Sequence, residues 1–149
     1  MRLTLHTDFA LRVLIHAGLN EGRLSTIKDV ADSFGISKNH LMKVVHDLGL
    51  KGYLDTVRGR NGGIRLMRPP HEINIGQVVR DTEDELDILG CLQAIGYCRI
   101  EEICVLRGVV KEATEAFLAV FDGYTLADLI GPKTALASLL FKNPEQIEA

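Results

Sequence analysis

Apolar residues recur at helical intervals along the first fifty positions. In HTDFALRVLIHAGLN, Phe9, Ala10, Val13, Leu14 and Ala17 fall three or four residues apart, which predicts a first helix ending near Gly18 and Asn20-Glu21-Gly22. The segment RLSTIKDVADSFGISKNHLMKVVHDLGLKGYL carries two more stripes. Ile27, Val30, Ala31 and Phe34 define a short helix that Ser25 or Thr26 is placed to cap. Gly35 supplies a turn, and Ser37 is placed to cap the helix after it. That helix has Leu41, Val44, Val45 and Leu48 on one stripe, and Lys38, Asn39, His40, Lys43 and His46 on its other faces.

The period then changes. YLDTVRGRNGGIRLM alternates, turns through Arg58-Gly59-Arg60-Asn61-Gly62-Gly63, and resumes with Ile64, Leu66 and Met67. Asn-Gly-Gly tolerates positive φ, so a hairpin with a glycine-rich tip is expected there. Two short helices, a glycine turn and a hairpin make a winged helix-turn-helix. The two helices alone fit any small helical hairpin equally well. The coincidence of arginines and glycines at the hairpin tip is what favours DNA. On that reading Lys38, Asn39, His40 and Lys43, with Ser37 at the helix start, meet the major groove. Arg58, Arg60 and Asn61 then sit at the minor groove, where a narrow groove concentrates negative potential, with Arg65 and Arg68 further down the second strand.

Pro69-Pro70 breaks the chain after the hairpin. Ile73, Ile75, Val78 and Val79 predict a short helix, entered near Asn74, that packs back on the preceding core. From residue 103 the pattern narrows. Ile103, Leu106, Val110, Ala113, Phe117 and Val120 form a seam of about two and a half heptads, of the kind that packs against another helix. A long core helix within one chain is the alternative. Asp122-Gly123 stops this helix, and Thr125-Leu126-Ala127-Asp128 opens a short final one closed by Gly131-Pro132. The resulting division is a winged helix-turn-helix over 1–80, a cysteine loop over 81–104, and a dimerisation helix with a helical tail over 105–149. The fold class is mainly α with a small β-hairpin.

Composition adds boundaries to this picture. A chain of 149 residues with 46% hydrophobic and 25% charged positions is ordinary for one globular domain. No apolar run approaches the length of a membrane span, and MRLTLHTDFALR lacks a secretory h-region, so a cytoplasmic, thiol-reducing setting is expected. The charge is split. Residues 1–70 carry 11 Lys/Arg against 6 Asp/Glu, a net of +5, while residues 71–149 carry 6 against 14, a net of −8. A basic half joined to an acidic one suits a nucleic-acid reader attached to a sensing or assembly half, and an unevenly charged solvated surface would look the same. No catalytic constellation appears.

All three cysteines, Cys91, Cys98 and Cys104, lie in GCLQAIGYCRIEEIC. The spacing C-x6-C-x5-C lacks the tight C-x2-C knuckles of structural zinc, and no histidine lies within the stretch. Wide spacing suits an iron–sulfur cluster, whose irons need ligands further apart. A redox thiol pair ranks second and zinc third.

MRLT, TDFALR, SKNHLMKVV, VRGRNGGIRL, the three cysteines and GYTLADLI together span nearly the whole chain. In this combination the sequence resembles the winged-helix iron–sulfur transcription regulators of the NsrR, IscR and RirA type, most closely their nitric-oxide-sensing branch. The resemblance implies a dimeric repressor of double-stranded DNA with a palindromic operator, and nitric oxide as its signal. It further implies one [4Fe–4S] cluster per subunit, or alternatively [2Fe–2S], held by Cys91, Cys98 and Cys104. The position matching the fourth ligand, reaching from the other subunit's first helix, is Asp8. Its rival role is to cap that helix or complement its dipole. Arg107 stands where IscR-type members have a histidine ligand, and an arginine cannot ligate iron. Two other functions remain open here: an iron- or redox-responsive regulator, and an iron–sulfur electron-transfer or assembly protein that never binds DNA. The wing arginines speak against the last.

Overall fold

The computed structural model describes residues 2–93 and 98–141; the expectations that fall on 94–97 of the cysteine stretch and on 142–149 of the tail lie outside them. The elements run α1 (Leu5–Leu19), α2 (Ile27–Phe34), α3 (Lys38–Leu50), β1 (Leu54–Val57), β2 (Gly63–Leu66), α4 (Ile75–Thr82), α5 (Gly90–Gln93), α6 (Val105–Asp122), α7 (Leu126–Leu129) and α8 (Lys133–Leu140). Among the described residues no helix is long and apolar enough to cross a membrane.

Helix α1 is the central post, touching α2, α3, β2, α4, α7 and α8. Its Ala10, Val13, Leu14 and Ala17 meet Leu41, Val44, Val45 and Leu48 of α3 in one core with Val30, Tyr53, Leu54, Ile64, Ile75 and Leu126. The four α3 side chains are each at most 4% exposed. At roughly 1.5–3 kcal/mol for each fully buried aliphatic chain, this stripe fixes which face of α3 turns outward. Gly18 does not end α1. It lies inside the helix, where an added Cβ would stand 3.2 Å from Ile130 Cδ1, so its small size admits α7.

Between α2 and α3 the chain turns at Gly35, which adopts the left-handed conformation with φ 64°. The cap of α2 is Thr26 rather than Ser25: its hydroxyl accepts from Asp29 N at 3.1 Å, and the Asp29 carboxylate accepts from Thr26 N at 2.9 Å. Ser37 occupies the N-cap position of α3 but makes no capping hydrogen bond with its side chain.

Strands β1 and β2 pair antiparallel, with Leu54 opposite Leu66 and Val57 opposite Gly63. The positive φ at the tip falls on Gly59 (112°), not on Asn61-Gly62-Gly63. Gly62 and Gly63 serve a different purpose, close approach. A Cβ on Gly63 would lie 2.7 Å from the Ser25 carbonyl, where Ile64 pairs with Ser25 in an isolated antiparallel bridge, and one on Gly62 would collide with the Val57 carbonyl.

Past α6 the chain does not end on one short helix. Helix α7 begins as expected, with the Asp128 carboxylate accepting from both Thr125 N (2.7 Å) and Thr125 Oγ1 (2.8 Å). After Gly131-Pro132, however, α8 follows and packs on α1, burying Ala137 and Phe141. Ser33 Oγ donates to the Leu140 carbonyl at 2.8 Å, tying this helix to α2 as well.

Thr7, His16 and Ser25 are polar side chains buried in this core. His16 is 0% exposed. Its Nδ1 lies 3.1 Å from Ser25 Oγ, which also accepts from Asn20 Nδ2 at 2.8 Å, while Nε2 has no hydrogen-bond partner among the described residues. The rings of Phe141 and Phe34 stand edge-on to it at 5.0 and 6.4 Å. Burial pushes its pKa down to about 4, against a weaker upward pull from Asp29.

Candidate DNA surface and thiol site

The burial of one α3 stripe leaves Ser37, Lys38, Asn39, His40, Lys43 and His46 exposed, so the candidate major-groove residues share the outward part of α3. Arg58, Arg60 and Asn61 are exposed at the hairpin tip. Arg65 and Arg68, further down β2, are engaged elsewhere. The Arg65 guanidinium pairs with Asp55 across the strands at 2.7 Å, and Arg68 lies over the Tyr53 ring at 4.7 Å. Arg68 therefore braces the base of the wing.

Two long-range groups of bonds hold these surfaces, and neither has a local sequence signal. His6 Nε2 lies 2.9 Å from Asp47 Oδ2, and Lys51 Nζ donates to the same carboxylate at 2.6 Å. Burial alone would raise the Asp47 carboxyl, but the hydrogen bonds and charges of Lys51 and His6 hold it below its ordinary value. This joins the start of α1 to the end of α3. From the base of the wing, Tyr53 Oη donates to Asp81 Oδ2 at 2.5 Å, and Gln77 Nε2 donates to Asp81 Oδ1 at 2.8 Å. Burial and the adjoining Asp81 raise the Tyr53 phenol, which stays protonated as a donor. Two residues on, Glu83 Oε1 accepts from Thr4 N (2.7 Å) and Thr4 Oγ1 (3.0 Å).

The three cysteines carry free thiols and line one cavity of about 260 Å³. Cys91 belongs to the short helix α5 rather than to a loop, and Cys104 is the N-cap residue of α6. Leu89, Ile100 and Leu106 supply apolar wall, and Glu101 and Arg107 also border the space. Among the described residues no three His, Cys, Asp or Glu side chains are close enough to hold a single metal ion. The donor set fits a sulfur-held group larger than one ion: three free thiols, Cys98 exposed and Cys91 and Cys104 half-buried, border one space with no disulfide among them.

Asp8 is not the cap of α1. That role belongs to Thr4, whose Oγ1 accepts from Thr7 N at 3.3 Å. Asp8 sits in the first turn, where its carboxylate takes Arg12 Nη2 at 3.0 Å and Nε at 3.1 Å. It borders a separate concavity with Leu5, Leu11, Phe117 and Phe121, which places it beside α6 and away from its own chain's cysteine cavity.

Helix α6 buries only Leu118 fully. Val105 (79%), Leu106 (58%), Val109 (54%) and Val120 (64%) are exposed. Ile103, read as the first position of the seam, precedes the helix in a 3-10 turn (Glu101–Ile103) and is 82% exposed. The inner face of α6 is fastened to α4 by a bidentate ion pair, Arg80 with Asp122, directly over Gly76, where any Cβ would overlap the Asp122 carboxylate.

A winged helix with an outward basic helix and a basic hairpin tip is a DNA-reading module, and here it carries a thiol-lined cavity at the root of a long exposed helix. That defines a DNA-binding transcription regulator. Residues 3–132 match the family model Rrf2, described as an iron-dependent transcriptional regulator, and the chain belongs to that family. It is 51% identical over 142 residues to the HTH-type transcriptional regulator NsrR of Geobacillus kaustophilus, covering 94% of this chain and 97% of the relative. The NsrR of Bacillus subtilis matches with the same identity and coverage. Among solved structures, CymR, the global cysteine regulator of B. subtilis, superposes with a TM-score of 0.72 at 21% identity, covering 89% of this chain and 98% of that one. At that identity the likeness speaks for the fold alone.

Proposed function

We propose that this protein is a homodimeric repressor of a palindromic operator whose DNA affinity responds to nitric oxide through a [4Fe–4S] cluster. The observation that carries the reading is that every cysteine of the chain borders one cavity at the N-terminus of α6. Cys91, Cys98 and Cys104 would hold the cluster, with Asp8 as the fourth ligand, contributed across the dimer. Its location beside Phe117 and Phe121 of α6 supports that assignment. When bound, the cluster supplies irons that nitric oxide attacks. Half-identity to regulators named NsrR supports this branch of the family over others.

The chain's own residues do the rest. Ser37, Lys38, Asn39, His40 and Lys43 present donors to base edges and phosphates, and Arg58, Arg60 and Asn61 reach the minor groove. The exposed aliphatic face of α6 pairs two subunits, which sets the spacing of their recognition helices on a two-fold site. Functionally, residues 1–80 read DNA, 81–104 sense, and 105–149 pair subunits and brace the reader.

The test is anaerobic isolation with iron and sulfide counted per subunit. Binding is then followed on DNA selected in vitro from a random library, during titration with nitric oxide, oxygen or an iron chelator. Bound cluster with DNA release by nitric oxide supports the reading. Release by the chelator alone would transfer it to an iron-responsive regulator, which the family's description favours. Stoichiometric zinc without iron overturns cluster sensing, and failure to select any DNA overturns the repressor.

A further inference from the structure

Beside the three thiols stands an ion pair that the sequence pattern left unassigned. Arg107 Nη1 donates to Glu101 Oε1 at 2.7 Å, and the Glu101 side chain is only 11% exposed. Both residues border the cysteine cavity. The place of Arg107 is electrostatically adverse. It is the third residue of α6, where unpaired backbone N–H groups and the helix dipole create positive potential, and the first turn of α6 contains no acidic residue. A cation held against that field needs anions nearby. Glu101 supplies one, and three deprotonated thiols at the same cavity supply the others. Apolar walls at Leu89, Ile100 and Leu106 make an uncompensated charge there costly.

We infer that Arg107 is the counter-charge to the thiolate-held cluster, and that Glu101 positions its guanidinium while cancelling part of its charge. The inference rests on the iron–sulfur reading above. It concerns how strongly the site holds its cluster and how readily the cluster accepts an electron. Reduction adds negative charge to the group, so a neighbouring cation favours the reduced form and a neighbouring anion opposes it. The two partners should therefore act in opposite directions. Arg107→Gln shifts the midpoint potential to more negative values, Glu101→Gln shifts it to more positive ones, and the double variant falls between them. A merely structural ion pair behaves otherwise: each substitution breaks the same pair, both lower thermal stability alike, and the potential stays where it was.

The experiment is a mediator-coupled titration of anaerobically isolated full-length protein. Dithionite supplies the electron, and visible absorbance reports the reduced fraction. Release of iron to a chelator is timed on the same samples, with loss roughly tenfold faster for Arg107→Gln expected from the usual effect of removing a group that supports a metal site. Arg107→Lys keeps the charge and should stay closer to wild type in both readouts. Opposite shifts bear the inference out. Shifts of one sign, or none, in variants that retain the cluster overturn it while leaving the iron–sulfur reading intact. Should Arg107→Gln retain no cluster at all, the lysine variant decides: retention supports the counter-charge, and equal loss overturns it. A wild-type protein without iron and sulfide overturns the reading and the inference together.

Discussion

His16 gives the sharpest stability prediction. The imidazole is 0% exposed, with Ser25 Oγ 3.1 Å from Nδ1, aromatic edges against it and Asp29 bordering the same cavity, and burial outweighs the pull of Asp29 to lower its pKa from 6.5 to about 4. The folded state therefore refuses a proton that the unfolded chain accepts. For a group with a depressed folded pKa of this kind, the stabilisation is complete above the unfolded value of 6.5 and drains away as pH falls towards 4. With those two values the loss is negligible at pH 7.5, about 2 kcal/mol at pH 5 and about 3 kcal/mol at pH 4. That is a large share of an ordinary domain's stability. Urea unfolding at pH 7.5, 6 and 5 measures it directly, with His16→Leu as the comparison. The variant takes His16 Nδ1 away from Ser25 Oγ, to which Asn20 Nδ2 still donates, and is less stable at pH 7.5, so the readout is the slope with pH and not the absolute value. His6, His40, His46 and His71 remain in both proteins and cancel. Equal slopes for wild type and His16→Leu would refute the account of a histidine buried in its neutral form.

Three further outcomes follow from other parts of the molecule. Arg60→Ala, at the exposed hairpin tip, should weaken operator binding and lower the magnitude of its salt dependence by about one counterion; an unchanged affinity and slope in the folded variant would remove the wing from the DNA surface. Val110→Glu, at a half-buried position of α6, should yield a monomer by sedimentation that cannot hold two half-sites, and a wild-type monomer at micromolar concentration (order of magnitude) would contradict the dimer. Glu83→Gln weakens both bonds from Thr4 and should cost about 0.5–1.5 kcal/mol in urea unfolding, with no change in midpoint counting against the link.

Most of the fold is visible in the order of apolar positions because its elements are short-range objects. The stripes Val13/Leu14/Ala17 and Leu41/Val44/Val45/Leu48 are buried as the periodicity requires, and Gly35, Asn74 and Thr125-Asp128 punctuate the helices where their side-chain chemistry says they should. What periodicity misreads is anything decided by an approach from far along the chain. Gly62 and Gly63 look like positive-φ residues, yet they are small because Val57 and Ser25 carbonyls lie against them. Gly18 looks like a stop, yet it makes room for Ile130. Arg68 reads as one more basic residue beyond the wing, yet it lies over the Tyr53 ring. Helix α8 was absent from the reading because Gly131-Pro132 signals an end, and nothing local announces that Ala137 and Phe141 find a partner in α1. Of the site, the candidate groove residues are exposed together and the thiols share a cavity. The Glu101–Arg107 pair needed coordinates to be seen.

The position of those thiols relative to the DNA surface gives the arrangement its mechanical sense. The chain leaves α4 at Thr82 and runs towards Cys91, and the last residues before that departure hold both outward elements. Asp81 grips Tyr53 at the base of the wing at 2.5 Å, and Glu83 grips the cap of α1 at 2.7 Å. Helix α1 in turn holds the recognition helix twice, through His6 to Asp47 at 2.9 Å and through Phe9, whose ring centroid lies 6.1 Å from that of His40. Hydrogen bonds this short weaken steeply with distance, so a shift of about 1 Å at the end of α4 breaks them rather than stretching them. A rearrangement around the cysteines that moves residues 81–83 therefore cannot leave the wing and α3 where they were: either these bonds carry the DNA-facing elements along, or they break and release them. In the proposed repressor, both outcomes would change the spacing or rigidity of a surface that has to fit two consecutive grooves at once. In the proposed regulator, a change at the cysteine site would need no separate relay, because Asp81 and Glu83 close α4 and also hold the base of the wing and the start of α1.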